Sequence, residues 1–353
     1  MLIGEFKKMF DQLLERYFDG RVEHLRGLLG DAGLISYLDA VKTIALSGGK
    51  RARPFMASGM YKAFGGVDET AIGKVGLGLE LFHLFCLVHD DVIDKADKRH
   101  GVSTVHKVTL EYLTQENARG DLSHLANGQA ILVGDLLFAW ASESFQDGVG
   151  DLMNRDRVLR LFFQMIDDVV AGQMIDVSLM GKREASEELI RRKMELKTAT
   201  YSFVRPLQIG LALAAGDEQF EKTLEAFGLK IGLAFQLQDD LLDLLSTEEK
   251  IGKPCMNDIR EGQHTLLTHY FVTNAAEEEK KIFGALFGKR DLSPEDCASI
   301  LSMMEKTGVV SYAQNELARA FTEAEELASL SKLPESAKQV LLGLVSTIKE
   351  RTT

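Results

Sequence analysis

Cysteine is scarce. Cys86, Cys255 and Cys297 stand far apart in 353 residues, which excludes a disulfide framework and leaves a reducing cytoplasm as the expected compartment. Proline is also sparse, with five residues at 54, 206, 254, 294 and 334, and no Ser/Gly/Pro-rich stretch interrupts the chain. Domain boundaries usually run through such linkers. One helical domain over 1–353 is therefore expected, although length alone would suit two or three. Basic charge is in deficit, with 41 Lys+Arg against 53 Asp+Glu and a net charge of −12, which argues against a general nucleic-acid binder. No uncharged apolar run reaches about 18 residues, the length a membrane helix needs. The best candidate, 128–141, is broken by Asp135. The first ten residues lack the apolar core of a signal peptide.

What is present is apolar residues at helical spacing, in a chain that is 45% hydrophobic and long enough to bury a large core. Phe6, Met9, Phe10, Leu13 and Leu14 set the pattern in the first helix. Helices are predicted at about 35–47, 52–64, 70–95, 126–148, 155–181, 186–214 and 217–246, with shorter amphipathic ones to the C-terminus. Ser293-Pro294-Glu295-Asp296 is a helix start and Gly308 a stop. Alternation of strand type is scarce, so the fold class is all-α.

Two acidic patterns stand out, Asp90-Asp91-Val92-Ile93-Asp94 and Asp239-Asp240-Leu241-Leu242-Asp243. On a helix, residues four apart share a face, so Asp90 stands beside Asp94 and Asp239 beside Asp243. Like carboxylates so placed repel, and apolar surroundings raise the cost. Hard carboxylate oxygens suit Mg²⁺, which typically arrives with substrate phosphates. Basic residues follow the first pattern at Lys95, Lys98, Arg99 and His100. Gly48-Gly49-Lys50-Arg51-Ala52-Arg53-Pro54 places three cations after a flexible turn at a helix start, an arrangement suited to an anion. His83 lies two helical turns before Asp90. Lys197-Thr198 pairs a cation with a hydroxyl, Gln236 and Gln238 add amides before the second pattern, and Lys253 follows it. Each of these also has a plain reading as a solvated charge or a satisfied core residue.

Together, and in this order, these elements resemble the trans-isoprenyl diphosphate synthases from about Gly48 to His264. Gly134-Asp135-Leu136-Leu137-Phe138-Ala139, Gly172-Gln173 with Asp176, and Gly252-Lys253 complete the match. The resemblance implies a mostly antiparallel helical bundle around a deep central cavity, usually a homodimer. In it the two acidic patterns would face each other across the cavity mouth. It implies that Asp90, Asp94 and Asp239 ligate a cluster of three Mg²⁺, with Asp91, Asp240 and Asp243 as further ligands. Arg99, Lys197 and Lys253 would hold an allylic diphosphate, with Thr198 and Gln236 beside the reacting carbon. Lys50, Arg53, His83 and His100 would hold isopentenyl diphosphate.

The implied reaction ionises the allylic diphosphate, adds the isopentenyl double bond to the cation and loses a proton. The product is a linear prenyl diphosphate. Three departures from the family pattern occur. His100 replaces an arginine, Gln263 a lysine, and Ser103-Thr104-Val105-His106 stands for Pro-Thr-x-His. Phe85, five residues before Asp90, and Cys86 are the family's chain-length positions, and they imply a C20 or C15 product. A longer-chain synthase, a terpene cyclase and a non-catalytic subunit of a heteromeric synthase are the competing readings. The cyclase is disfavoured by the second aspartate pattern and the non-catalytic subunit by both patterns being intact.

Overall fold

The computed structural model describes residues 3–30, 32–180, 182–245 and 256–350. Two compact units divide the chain, Met1–Leu159 and Arg160–Thr353. Both are helical, as expected of an all-α protein.

In the first unit α1 (Ile3–Leu29) buries Phe6, Phe10, Leu14, Phe18, Val22 and Leu25, a stripe at three- and four-residue spacing, while Met9 lies outside it and is exposed. Next come α2 (Ala32–Ser47), α3 (Ala52–Ala63) and α4 (Glu69–Ile93). The Asp68 carboxylate starts α4 by accepting from the backbone N–H groups of Thr70 and Ala71, both at 2.9 Å. This helix is the centre of the unit and packs along α6 (Leu122–Val149) more extensively than any other helix pair. By length and composition it is apolar enough to cross a membrane, a feature hidden from a search for uncharged runs by its scattered charges. Most of that apolar stretch, 61%, is buried inside the protein. Between α4 and α5 (Val105–Gln115) the sequence pattern missed a hairpin, β1 (Lys98–Arg99) against antiparallel β2 (Val102–Ser103). His100 and Gly101 form its two-residue turn with φ of 50° and 83°, the positive pair that such a turn requires.

In the second unit the helix expected at 186–214 proves to be three segments. After α7 (Arg155–Leu179), which starts within the first unit, α8 (Glu187–Met194) passes into a π-helical stretch, Glu195–Val204. That stretch ends in α9 (Arg205–Leu213). The Arg205 N–H reaches back five residues to the Thr200 carbonyl. Pro206, at the first turn of α9, has no N–H to continue an i→i−4 ladder through this point. The long helix α10 (Glu221–Leu245) packs on the π-helical stretch and on the later helix Val309–Leu330. The short α11 (Asn257–Glu261) and α12 (Leu266–Asn274) follow, then α13 (Glu277–Leu286), α14 (Pro294–Lys306), α15 (Val309–Leu330) and α16 (Glu335–Lys349). Ser293 and Asp296 form the expected cap of α14, and Gly308 sits at φ 83° just beyond its end.

Candidate active site

Each acidic pattern lies at the C-terminal end of a 25-residue helix, the first in the last turn and C-cap of α4 and the second in the last two turns of α10. The negative end of a helix dipole is the unfavourable end for a carboxylate. Three aspartates there, some of them buried, carry a cost that neighbouring cations must offset.

At the end of α4 the three aspartates differ. Asp91 is buried at 1% exposure, and its Oδ1 accepts from Arg99 Nε at 2.9 Å and also from Arg99 Nη2. Asp90 is half-buried and lies 3.8 Å from the same guanidinium. Asp94 is half-buried and ends the helix, its N–H donating to the Asp90 carbonyl. Asp91 therefore anchors Arg99 through the hairpin, leaving Asp90 and Asp94 on the same helix face one turn apart.

Four of the expected anion-binding side chains of this unit, Arg53, His83, Arg99 and His100, converge. Burial pushes His83 well below its usual range, and the positive charges of Arg53, Arg99, His100 and Arg51 push it further. His83 is thus a neutral imidazole among four basic side chains, ready to hydrogen-bond. The His100 ring lies against Gly48, where a Cβ would come within 2.4 Å of it. Lys50 is exposed on the turn before α3. Arg51 takes another part. It is 3% exposed, in a left-handed conformation, and bridges Glu80 at 2.8 Å and Asp11 at 2.7 Å. This buried ion pair fixes the turn that carries Lys50 and Arg53. Basic spacing alone did not distinguish it from its neighbours. Its signal is the buried Glu80 on α4, since a fully buried glutamate needs a partner.

Phe85, one turn before Asp90, packs among Phe82 and Phe138, each at 5.4 Å between ring centres, and His89 at 4.6 Å. Cys86 beside it is a half-buried thiol.

In the second unit a relay runs across two helices. Thr198 Oγ1 donates to Gln236 Oε1 at 2.8 Å, and Gln236 Nε2 donates to Asp240 Oδ1 at 2.8 Å. The Thr198 hydrogen is committed to Gln236, so its lone pairs remain for an electron-poor neighbour. Asp240 is 4% exposed and its Oδ2 accepts no hydrogen bond from the described residues. Burial first, and then the charges of Asp239 and Asp243, push its carboxyl up to about 7 against the pull of Gln236 and Lys193. Asp258 is raised well above the usual carboxylate range by burial and by Asp240 and Asp243. Asp243 also holds local structure. Its carboxylate accepts from the N–H groups of Asn257 and Asp258 at 3.0 and 2.9 Å and from Asn257 Nδ2 at 2.9 Å, which holds the start of α11. Lys197 Nζ pairs with Asp176 at 2.6 Å. Burial would raise Asp176, yet Lys193 and Lys197 hold it below its ordinary value. Lys253 lies outside the described residues.

The π-helical stretch sets Lys197 and Thr198 close to neighbouring helices. A Cβ on Gly172 would stand 2.6 Å from the Lys197 nitrogen, and one on Gly232 would stand 2.4 Å from Ala199 Cα. Asp258 and Lys193, neither given a role by the sequence pattern, join this cluster. Lys193 stands four residues before Lys197, a spacing that puts the two on one side of a helix.

The model of the polyprenyl synthetase family matches residues 36–304. The chain belongs to the polyprenyl synthetase family. It is 30% identical to geranylgeranyl diphosphate synthase of Saccharolobus solfataricus over 83% of this chain and 82% of that protein. It is 29% identical to the short chain isoprenyl diphosphate synthase of Methanothermobacter thermautotrophicus, over 96% and 98%. Among solved structures, geranylgeranyl pyrophosphate synthase of Corynebacterium glutamicum, complexed with isoprenyl diphosphate and magnesium, superposes with a TM-score of 0.92 at 28% identity. The match covers 99% of this chain and 100% of that one. The fold is that of the isoprenoid synthases, and this polyprenyl synthetase is a trans-prenyltransferase.

Proposed function

We propose that this enzyme condenses isopentenyl diphosphate with an allylic diphosphate to a linear trans-prenyl diphosphate of C20 or C15, using three Mg²⁺ ions. The carrying observation is the placement of buried and half-buried aspartates at the negative ends of both α4 and α10. The donor set fits the ion. Aspartate oxygens are hard ligands, and Asp240 Oδ2 is buried, accepts no hydrogen bond from the described residues and lies beside two further carboxylates. Among the described residues no three acidic, histidine or cysteine side chains form a closed metal cage. Mg²⁺ keeps waters and phosphate oxygens in its shell and does not need one.

Asp90, Asp94 and Asp239 are the direct ligands in this reading. Asp91, Asp240 and Asp243 are further or water-mediated ligands, and they also hold Arg99, Gln236 and the start of α11. When bound, the metal neutralises diphosphate charge and makes it a better leaving group. Arg99 and Lys197 orient the allylic diphosphate, with Lys253 as a third cation. Lys50, Arg53, His83 and His100 take the diphosphate of isopentenyl diphosphate, His83 as a neutral hydrogen-bonding group. Thr198 Oγ1 and Gln236 Oε1 turn oxygen towards the electron-poor allylic carbon, and apolar walls exclude water. The proton lost from the adduct goes to the released diphosphate. Phe85 and Cys86 limit the growing chain. The working form is a cytoplasmic homodimer, tested by light scattering and cell fractionation.

Purified protein given isopentenyl diphosphate, Mg²⁺ and labelled dimethylallyl, geranyl or farnesyl diphosphate tests the reading. A linear diphosphate, lost on chelation and reduced at least about 10³-fold by Asp90→Ala or Asp239→Ala with helicity intact, is expected. A cyclic hydrocarbon, or no turnover with any primer, would overturn it.

A further inference from the structure

Lys193 is an ammonium with little access to solvent, its side chain 12% exposed at the end of α8. Its Nζ lies 3.0 Å from Asp176 Oδ1 and donates to the His264 carbonyl at 2.8 Å. Lys197 takes the other oxygen of the same carboxylate at 2.6 Å. One carboxylate thus holds two ammoniums, one on each oxygen, and the trio keeps one net positive charge. The charge of Lys193 is also felt by Asp240 and Asp258. Beside its acceptor His264 stands Gln263, buried and neutral, whose N–H donates to the Asp258 carbonyl at 2.7 Å. Among the described residues, Asp176 draws on Lys193 and Lys197 for cationic charge and Asp240 and Asp258 on Lys193, while the neutral side chain at 263 supplies none.

We propose that Lys193 is a positioning residue for diphosphate binding. It shares Asp176 with Lys197 so that this carboxylate aims the Lys197 ammonium without cancelling the charge of the pair of lysines, and it supplies positive charge beside the neutral Gln263. The geometry divides the work. Without Lys193, Asp176 would face Lys197 alone, and a one-to-one ion pair in a nearly dry site would hold that ammonium against the carboxylate instead of releasing its charge to an incoming diphosphate. The tie to the His264 carbonyl fixes α8 to the segment leading into α12, so that the aim of Lys197 depends on a side chain that itself touches no substrate. The assignment rests on the proposed prenyl diphosphate chemistry for Lys197.

The test compares Lys193→Gln, Lys193→Arg and the double variant Lys193→Gln with Gln263→Lys against the wild type. Two quantities are read, the affinity for inorganic pyrophosphate in Mg²⁺ by calorimetry and the steady-state constants for the allylic diphosphate. Lys193→Gln should weaken pyrophosphate binding and raise the KM for the allylic diphosphate by about 10- to 100-fold. Lys193→Arg should restore most of the loss, and the lysine at 263 part of it, because charge and not shape is what was removed. Unchanged affinity in Lys193→Gln would overturn the proposal. So would a loss that neither second variant repairs and that follows a fall in melting temperature. Failure of the underlying reading looks different. A wild type that binds pyrophosphate but transfers no prenyl group sinks the prenyl chemistry and leaves the Lys193 effect legible in the calorimeter, whereas a wild type that binds no pyrophosphate sinks both.

Discussion

Phe85 and His100 are the single residues with the most specific expected effects on product and substrate. Phe85 closes an aromatic group with Phe82, Phe138 and His89 just before Asp90 on α4, and in the proposed function this group is the floor that a growing prenyl tail meets. Phe85→Ala is expected to lengthen the product by one or more five-carbon units, read by chromatography of the dephosphorylated products. An unchanged length would remove Phe85 as the floor. His100 sits at φ 50° in the hairpin turn with its ring on Gly48, beside the basic group around His83. A histidine there cannot offer the permanent charge and two-pronged donor geometry of arginine. His100→Arg should lower the KM for isopentenyl diphosphate about tenfold, or about 1.4 kcal/mol, and flatten its variation between pH 6 and 8. Equal constants for both enzymes across that range would show that His100 does not grip the substrate.

At the scale of elements the π-helical stretch is the feature on which Lys197 and Thr198 depend. Gly232 of α10 meets the stretch at Ala199, leaving no room for a side chain. Gly232→Ala should cost about 1–3 kcal/mol through forced overpacking and should lower turnover more than a melting shift alone explains, because the displaced backbone carries the site. The control is Gly20→Ala in α1, where an added Cβ meets nothing within 4 Å, and where removing a helix-interior glycine should stabilise by about 0.5–1 kcal/mol. Urea midpoints and kcat for both variants check the contrast; equal destabilisation would refute it. This element was not legible in the sequence, whereas most others were. Helix existence followed from apolar spacing, and the caps at Ser293 and Gly308 from residue chemistry. The π segment reads as ordinary helix because its apolar pattern stays near-helical, and the change is made by Pro206 and by close approach of glycines from distant helices. The hairpin at 98–103 is too short to show alternation, and only its turn residues mark it. At the site, the aspartate ladders announced themselves by local spacing. The engagement of Asp91 with Arg99, of Asp243 with α11 and of Arg51 with Glu80 could not, since these partners are set by tertiary contact.

For the whole molecule the same burial that builds the two units sets how stability responds to pH. His83 and His106 in the first unit and His264 in the second are all held below the usual histidine value, burial being the largest cause in each. The native protein therefore keeps them neutral where the unfolded chain begins to take up protons, near pH 6.5. Below that pH the unfolded state binds more protons than the native state, so the stabilisation from a neutral buried imidazole is complete above about 6.5 and is lost as pH falls towards the folded value. The raised carboxyls act in the opposite sense. Asp240, at about 7, keeps a proton in the native state that the unfolded chain gives up near 3.8, so its contribution is lost as pH rises through about 7. The net slope mixes both effects, and a single histidine has to be isolated by difference. His106 suits this, being buried and hydrogen-bonded to Thr104 Oγ1 at 3.3 Å, with Lys107 and Asp97, both outside the aspartate ladders, as the charges that act on it. Urea denaturation of the wild type and His106→Asn at pH 7.5, 6.5 and 5.5 should give a stability difference that is largest at pH 7.5. The difference should shrink steadily to pH 5.5, because only the wild type must either hold back or accept that proton. A difference that stays constant over the three values would mean that His106 titrates alike in both states and that its burial does not govern its charge.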